Sequence, residues 1–298
     1  MFINDFYEFV KDANILVMNE DVIIIYHAEC PDGFGAAFAA WKKFGDQALY
    51  IPLYPRDKPS ENLTGKTVYS LDFSFDLEET KALMSKAKSY TLIDHHISAA
   101  QVAAIVTQKS FDLNHSGAML AWQFFHPEKP VPTLLRHIED NDLWRFQLPN
   151  TREIIQAIHL RKNSFEVWDK IASDLEIKEE KEKYIDQGTV LSQASDRQIE
   201  KLMENAEVVT FEGYPALMVN SPMHTSSLGA ALSKKMPPLA IIWSKRKDKI
   251  LISLRSNGSA DVAKLAEKYG GGGHKTASGF ALTEDQFYNK QNPIFIKR

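Results

Sequence analysis

Four segments of the chain carry side chains of the kind that bind divalent cations. They contain His27 and Asp32, then Asp72, then the triplet Asp94-His95-His96, and last the acidic stretch HIEDNDLWRF. Carboxylate oxygens mixed with imidazole nitrogens suit Mn²⁺, Fe²⁺, Co²⁺ or Zn²⁺. A carboxylate that bridges two such ions, about 3.5–4 Å apart, would form a two-metal hydrolase site. The residue types therefore point to metal-assisted hydrolysis, which needs neither a cysteine nucleophile nor a serine triad.

Each of these signals has a simpler interpretation when it stands alone. Asp72 is of a type that caps helices or occupies turns. His27 could be a core or capping histidine, and the pair His95-His96 could be a polar exit from a strand. Three strand ends with the same chemistry are hard to explain by capping, however. The carboxyl ends of parallel strands meet at one crevice, so the pattern favours convergence on one site.

A glycine-rich segment, YGGGGHKTASGF at 269–280, is the second chemical signal. One glycine after a helix is a normal cap, and four exceed what a cap requires. Bare backbone can form a nest of N–H groups that binds an anion. His274 and Lys275 follow directly, and Arg255 ends the strand-like segment ILISLRS, so the sequence predicts a phosphate site. A flexible surface turn is the alternative interpretation.

Alternating strand and helix patterns supply the elements that would position these residues. VIIIY at 22–26 is typical of a buried strand, and KTVYSLDFSF and SYTLIDHH are further strand patterns. Helical patterns occupy GFGAAFAAWKKFGD, DLEETKALMSKAK, SGAMLAWQFF and the region around TLLRHIEDNDLW. Asp76 is placed to cap the second of these helices. The alternation predicts an α/β fold with a parallel sheet.

The second half of the chain has a different pattern. From about residue 165 to 206 charged residues and helix formers dominate, which predicts long connecting helices with a solvated face. Strand patterns then return in AEVVTFEG, YPALMVN, LAIIWSK and KILISLRS, with helical patterns at SLGAALSKK and ADVAKLAEKYG. We expect a catalytic domain at 1–165, a helical connector at 166–206 and a smaller α/β domain at 207–298.

Composition narrows the functional class. The chain has 298 residues, 44% hydrophobic and 25% charged, which is ordinary for a globular protein. No long apolar run is present, and MFINDFYEFVKDAN carries acids where a signal peptide carries lysines, so we expect a cytoplasmic protein without a membrane partner. The single cysteine, Cys30, excludes an intramolecular disulfide and a cysteine-based zinc site. A net charge of −4 argues against a grip on long duplex nucleic acid.

Taken together, the motifs resemble those of the DHH phosphoesterase superfamily. The resemblance covers nearly the whole chain and runs in order through YHAECPDGFGAA, SLDFSF, LIDHHISA, HIEDNDLWRF and GGGGHKTASGF. It is nearest to the oligoribonuclease and cyclic-nucleotide phosphodiesterase-like branch, and RecJ-like exonucleases, family II pyrophosphatases and exopolyphosphatases are similar at greater distance. It implies a parallel-sheet DHH domain with two Mn²⁺ ions, for which Mg²⁺ or Co²⁺ are alternatives. Helices would join this domain to a smaller α/β DHH-associated domain that closes over it.

The resemblance also implies roles for individual residues. Asp72 would bridge the metals, and the other ligands would be His27, Asp32, His95 and Asp140, with Asp142 as the alternative to Asp140. His96 would face the scissile phosphate, and Asp94 would orient its neighbours. The terminal phosphate or ribose of the substrate would be held by Arg255, Gly271, Gly272, Gly273 and His274. Ser116 and Gly117 would contact it at a helix amino terminus, or would mark a simple helix start.

One residue departs from the pattern of many relatives. Their first motif carries Asp-x-Asp, whereas CPD places Cys30 at the position of the earlier carboxylate. A lone thiolate is an unusual ligand for Mn²⁺, which favours an inert small residue over a soft ligand. Either interpretation leaves the occupancy of the His27 metal site open.

The leading hypothesis is a Mn²⁺-dependent phosphodiesterase that converts short RNA or linear dinucleotides to nucleoside monophosphates. The alternatives within the same class are nucleotide bisphosphates, cyclic nucleotides or polyphosphate as substrates. A third hypothesis is a non-catalytic sensor of phosphorylated ligands, in which one metal site is lost through Cys30. The partners would be short RNA or a small nucleotide, and a homodimer is left open.

Overall fold

The chain forms two compact units. The computed structural model describes residues 21–289, 291 and 293–297. The first unit comprises the described residues up to His95 together with Gln101–Leu148 and Lys162–Glu176, and the second comprises His96–Ala100, Pro149–Arg161 and the described residues from Ile177 onward. The segment MFINDFYEFVKDAN, on which the expectation of no signal peptide rests, lies outside the described residues.

A five-stranded parallel sheet organises the first unit. Its strands are β1 (Val22–His27), β2 (Ala48–Leu53), β3 (Thr67–Leu71), β4 (Ser89–Asp94) and β5 (Gln108–Phe111). Their spatial order is β2-β1-β3-β4-β5, and every pair is parallel. Ile24 and Ile25 of β1 are fully buried, as expected for a central strand covered on both faces. The predicted α/β class with a parallel sheet is confirmed.

Helices follow most of these strands. The chain contains α1 (Pro31–Phe44), α2 (Leu77–Lys86), α3 (Ala100–Ile105), α4 (Gly117–Phe125), α5 (Thr133–Asp142), α6 (Thr151–His159), α7 (Phe165–Asp174), α8 (Lys178–Glu204), α9 (Thr225–Lys235), α10 (Val262–Glu267) and α11 (Glu284–Phe287). The predicted cap of α2 is present, since the carboxylate of Asp76 accepts a 2.7 Å hydrogen bond from the amide of Glu79. Among the described residues, none of these helices combines the length and hydropathy needed to cross a bilayer.

The apolar face of α1 packs against α7 within the first unit. The ring of Phe34 lies 4.8 Å from that of Trp168, which is buried to 1% exposure, and 5.1 Å from that of Phe165. Phe38 lies one turn further along the same face of α1, and its ring is 6.2 Å from that of Trp168. Because aromatic rings bury large areas, the contact fixes the helix that carries Asp32 in its first turn.

A seven-stranded, mostly antiparallel sheet organises the second unit. Its strands are β6 (Glu207–Phe211), β7 (Tyr214–Asn220), β8 (Leu239–Arg246), β9 (Lys249–Ser256), β10 (Gly272–His274), β11 (Ala277–Thr283) and β12 (Ile296–Lys297). The order is β10-β11-β9-β8-β7-β6-β12, and only the β7–β8 pair of these described strands is parallel. Ile241, Ile252 and Leu254 lie in its core at 1% exposure or less.

The glycine-rich segment forms a β-hairpin rather than a flexible turn. Gly273 pairs with Ser278 between β10 and β11, and its φ of 138° lies in a region open to glycine. A Cβ on Gly273 would lie 2.6 Å from the carbonyl oxygen of Ala277. The absence of a side chain at this position therefore lets the two strands approach.

Candidate metal centre

Three neighbouring strands bring the predicted ligands to one edge of the first sheet. His27 ends β1, Asp72 follows β3 directly, and Asp94 ends β4 with His95 next in the chain. β1, β3 and β4 are adjacent and parallel, so their carboxyl ends meet at that edge. The amide of Asp72 donates a 2.8 Å hydrogen bond to the carbonyl of Ile93, and its φ of 53° turns the chain out of the sheet.

The carboxylate of Asp72 stands between two imidazoles. Its Oδ2 lies 3.5 Å from Nδ1 of His27, and its Oδ1 lies 3.2 Å from Nε2 of His95. The residue is only 2% exposed. One oxygen facing each histidine is the arrangement that a carboxylate shared by two cations needs.

The amino terminus of α4 holds the second aspartate. The amides of Gly117 and Ala118 donate hydrogen bonds of 2.6 and 3.0 Å to the two carboxylate oxygens of Asp32. Oδ2 of Asp32 also lies 3.6 Å from Nε2 of His95. A helix amino terminus carries partial positive charge, so it stabilises an ionised carboxylate there. These amides therefore bind a protein side chain, at the helix start for which the resemblance implied either a substrate contact or a simple helix start.

Ser116 lies at that helix start without exposure to solvent. The residue is fully buried, and its hydroxyl accepts a 3.3 Å hydrogen bond from the amide of Met119. Its own amide donates to Oε2 of Glu139 over 3.0 Å. The structure therefore supports the simple helix start, the alternative to a substrate contact, for Ser116.

The acidic stretch contributes Asp142 rather than Asp140 to the group around His95. Oδ2 of Asp142 lies 3.5 Å from Nε2 of His95. The carboxylate of Asp140 instead accepts hydrogen bonds of 2.8 and 3.1 Å from the amides of Gln147 and Leu148. Two residues on an α-helix are about 200° apart, so 140 and 142 project from opposite sides of α5. Sequence analysis favoured Asp140, and the geometry points to its alternative.

Two neighbouring groups could each hold a cation. Ligand atoms of His27, Cys30 and Asp72 lie within 4.8 Å of one another, and so do those of Asp32, His95 and Asp142. Burial raises the pKa of Asp32 well above its usual value, and the negative charges of Asp72 and Asp142 raise it further. A divalent cation would stabilise the ionised forms of these carboxylates, and imidazole with carboxylate is a donor set that first-row metals accept. The residues therefore fit a dinuclear site.

Cys30 contributes a thiol with a raised pKa to the first of these groups. It occupies the N-cap position of α1. Burial of the sulfur raises the pKa of Cys30 well above its usual value, and the charge of Asp72 adds to the shift. A raised pKa disfavours the thiolate, and the thiolate is the form of cysteine that binds metals. The electrostatics of the protein alone therefore favour the inert interpretation of Cys30.

Asp94 contacts the backbone of its neighbour. Its Oδ1 accepts a 2.7 Å hydrogen bond from the amide of His95, and the residue is 1% exposed. This contact fixes the start of the segment that presents the His95 imidazole. The expected role of Asp94 in orienting neighbouring residues has a physical basis here, although its role in a reaction stays a prediction.

The second unit contains the residues expected to bind phosphate. His274 of β10 pairs with Ala277 of β11, and Ala277 pairs with Arg255 of β9. Directly paired residues project from the same face of a sheet, so His274 and Arg255 share a face about 10 Å apart. The segment 96–100 belongs to this unit, and the ring of His96 lies 5.0 Å from the ring of His274.

Arg255 is a mostly buried guanidinium with neutral partners. Its Nη1 donates to the carbonyl of Leu254 over 2.9 Å, and its Nη2 donates to the hydroxyl of Ser226 over 3.0 Å. Burial lowers the pKa of Arg255. In the described part of the chain no carboxylate pairs with it. A buried cation without an acidic partner is a suitable receptor for an anion.

A close glycine contact fixes the stem of this arginine. A Cβ on Gly229 of α9 would lie 2.5 Å from Cγ of Arg255. Gly271 similarly allows close approach of β11, since a Cβ there would lie 2.1 Å from the carbonyl of Gly279. Gly272 has open space around it. Sequence analysis did not identify Gly229, because this glycine lies inside an ordinary helical pattern.

Comparison with known proteins identifies one matching domain family and one relative at 30% identity. The DHHA1 domain family matches residues 220–292, which include Arg255 and the glycine-rich hairpin. An uncharacterized protein of Acanthamoeba polyphaga mimivirus is 30% identical over 296 residues, covering 90% of this chain and 69% of that protein.

Two solved structures show the same fold at low sequence identity. One is the DHH domain of a member of the s1p family of ribosomal proteins. It has a TM-score of 0.60 and 14% identity over 92% of this chain and 85% of that one. RecJ from Thermus thermophilus, solved with Mn²⁺, has a TM-score of 0.50 and 13% identity over 89% of this chain and 50% of that one. These two structures show the fold, and the relative, the domain match and the ordered motifs show that the chain belongs to the DHH phosphoesterase superfamily.

Proposed function

We propose that this protein is a metal-dependent phosphodiesterase that hydrolyses short RNA or linear dinucleotides to nucleoside monophosphates. The observation that carries the proposal is the placement of Asp72, whose two oxygens face His27 and His95. That placement supports a pair of divalent ions bridged by one carboxylate. Mn²⁺ is the proposed ion, because it accepts both imidazole and carboxylate ligands.

Residues of the first unit would hold the ions. The proposed ligands are His27, Asp32, Asp72, His95 and Asp142. When bound, divalent cations make water acidic enough to attack at neutral pH and offset negative charge on phosphoryl oxygens. The protein would contribute geometry: α4 orients Asp32 through its first amides, and Asp94 orients the backbone of His95. His96 is the proposed donor to the scissile phosphate.

Residues of the second unit would bind a phosphate that does not react. Arg255 offers guanidinium N–H groups that no described carboxylate neutralises, and His274 shares its face of the sheet. Binding through one terminal phosphate selects short substrates, since affinity then depends on a chain end rather than on a long backbone. The net charge of −4 also supports small substrates over long nucleic acid.

Product analysis with defined metal content tests the proposal. Protein stripped with a chelator and then loaded with Mn²⁺ is incubated with a 5′-phosphorylated diribonucleotide, and bound ions per chain are measured in parallel. We expect two ions and release of nucleoside monophosphates. The Asp72→Ala variant should lose turnover, because no other described residue supplies a carboxylate at that point. Asp169→Ala is the matched control, since Asp169 pairs with Lys42 at the surface.

The same protein, offered each of the alternative substrates, can also give results that contradict the proposal. Release of inorganic phosphate from a nucleotide bisphosphate or from polyphosphate, with no cleavage of the diribonucleotide, would assign the site to the alternative substrates. Ligand binding without turnover of any compound would favour the non-catalytic sensor of phosphorylated ligands. Robust hydrolysis by Asp72→Ala would remove Asp72 from the centre.

A further inference from the structure

The loop 143–148, which follows α5, displays two aromatic side chains to solvent. Trp144 is 47% exposed and Phe146 is 40% exposed. Their ring centroids lie 4.9 Å apart with an interplanar angle of 82°, which is an edge-to-face pair. Such a pair presents open ring surface in a defined orientation. Among the described residues, the first unit exposes four large aromatic side chains, and two of these four lie in this short loop, so their exposure needs a reason.

The backbone of this loop adopts an unfavourable conformation at both aromatic residues. Trp144 has a φ of 55° and Phe146 a φ of 47°. Bulky side chains rarely occupy this left-handed region, and such outliers persist where the surroundings enforce them and gather at functional sites. The fold therefore maintains the display of these rings against local preference.

Hydrogen bonds of Asp140 and Arg145 hold the loop 143–148 in this conformation. The carbonyl of Asp140 accepts hydrogen bonds from the amides of Arg145 and Phe146 at 2.9 and 3.3 Å, and its carboxylate accepts two more from further along the loop. The guanidinium of Arg145 donates to the carboxylate of Glu139 over 3.3 Å and to the carbonyl of Asn114. The loop is thus tied at both sides, and its aromatic residues are preorganised before any ligand binds.

The loop that carries the aromatic pair begins directly after Asp142, a residue of the candidate metal centre. Trp144 is two residues beyond Asp142, whose Oδ2 is 3.5 Å from Nε2 of His95. Two peptide links span at most about 7.6 Å between Cα atoms. In a nucleotide the base is attached to the phosphate through one ribose. A base whose phosphate sits at the metal centre is therefore within reach of the Trp144 ring.

We infer that Trp144 and Phe146 form a stacking surface for one nucleobase of the substrate. The inference rests on the proposed function for the choice of a nucleotide as ligand. Aromatic side chains stack on all bases because every base has a π-face, and polyphosphate has none. The two residues thus bind the substrate and determine its class, and Asp140 is the positioning residue that holds the loop on which they lie.

Binding of two product-like ligands tests the inference without relying on turnover. The Kd of adenosine 5′-monophosphate and of ribose 5-phosphate is measured by calorimetry on full-length protein in Mn²⁺. Wild-type protein should prefer the nucleotide by about 5- to 150-fold, the range that stacking of one base provides. Trp144→Asn should remove most of this preference. Asparagine tolerates the left-handed backbone, so the loop can keep its shape.

Two further variants sharpen the comparison. Trp144→Phe retains a ring and should keep most of the preference, which a merely structural role for the indole would not predict. Phe124→Ala removes a ring of similar exposure, 41%, near the carboxyl end of α4, and should leave the preference unchanged. A variant that fails to fold is replaced by Trp144→Gly, which relieves the backbone conformation.

The outcomes separate this inference from the proposed function. Equal affinity of wild-type protein for the two ligands would overturn the stacking surface even if dinucleotides are hydrolysed. A preference that survives Trp144→Asn would overturn it as well, and a change of molecular mass in solution in that variant would assign the rings to a protein contact. Loss of the preference in a protein that hydrolyses no dinucleotide would support the surface and contradict the phosphodiesterase.

Discussion

For the replacement of Gly117 by alanine, helix propensity and the steric contacts at the metal centre predict opposite effects. Gly117 is the first residue of α4, and alanine is favoured over glycine within helices by about 1 kcal/mol. In the structure, a Cβ on Gly117 would lie 2.6 Å from Cβ of Asp72 and 3.0 Å from Oδ2 of Asp32. Helix preference alone predicts a more stable protein, whereas the contacts predict a distorted site.

The contact distances set the size of the effect. Ordinary contact begins at 3.4 Å, so the Asp72 Cβ and the new methyl group must separate by about 0.8 Å. Neither side is a flexible side-chain end, since one is bonded to the backbone after β3 and the other starts a helix. Overpacking of this kind costs about 1–3 kcal/mol. After the gain in helix preference, we expect the free energy of unfolding to fall by about 0–2 kcal/mol.

Metal affinity should respond more strongly than stability. The methyl group displaces Asp72 and the α4 amides that hold Asp32, and loss of such supporting contacts typically lowers metal affinity about 10- to 100-fold. Mn²⁺ titration by calorimetry and chemical unfolding in the presence of a chelator measure the two effects separately. Gly272→Ala is the matched control, because its Cβ meets open space in the second unit. Wild-type Mn²⁺ affinity in Gly117→Ala, together with higher stability, would refute the reasoning.

Two further sets of substitutions test other contacts. Asp142→Ala should lower Mn²⁺ affinity, because Oδ2 of Asp142 lies 3.5 Å from Nε2 of His95. Asp140→Ala should leave that affinity near wild type and reduce the free energy of unfolding by about 1–3 kcal/mol, since two amides lose their acceptor. The opposite pattern in the same titrations would restore Asp140 as the ligand. Arg255→Ala should raise KM for a 5′-phosphorylated dinucleotide about 10- to 100-fold with little change in kcat, as expected when a charged hydrogen bond to a non-reacting phosphate is lost. A collapse of kcat at constant KM in steady-state kinetics would contradict a binding role.

The central part of the fold could be predicted because its residues are buried on both faces. β1 appears in the sequence as a continuous apolar run, β3 and β4 appear as short segments rich in β-branched, aromatic and other apolar residues, and their shared edge follows from parallel order. β2 and β5 were missed. They are the two edge strands of the sheet, and QKSF of β5 has only exposed or half-exposed residues, so no periodic apolar signal marks it.

Contacts at the candidate site depend on long-range geometry that the motif order does not contain. Gly117 and Asp32 are 85 residues apart, yet the amide of one binds the carboxylate of the other. The choice between Asp140 and Asp142 depends on the rotation of α5 about its axis, which packing of that helix determines. Motif spacing pointed to the segment that contains Asp142, but it could not identify which side of a short helix faces His95.

The way Asp32 is held has a consequence for metal binding. Its carboxylate is oriented by two backbone amides at the start of α4, and in the described part of the chain no lysine or arginine pairs with it. A guanidinium in that position would orient the carboxylate equally well, but it would also neutralise it and repel an incoming cation. Amide dipoles at a helix amino terminus act as about half a positive charge, so they fix the direction of the oxygens and leave most of their negative charge available. The absence of a side chain at Gly117 is what allows this helix end to lie against Asp32 and Asp72 together, and the negative potential at the strand ends then depends on one helix position as much as on the ligands themselves.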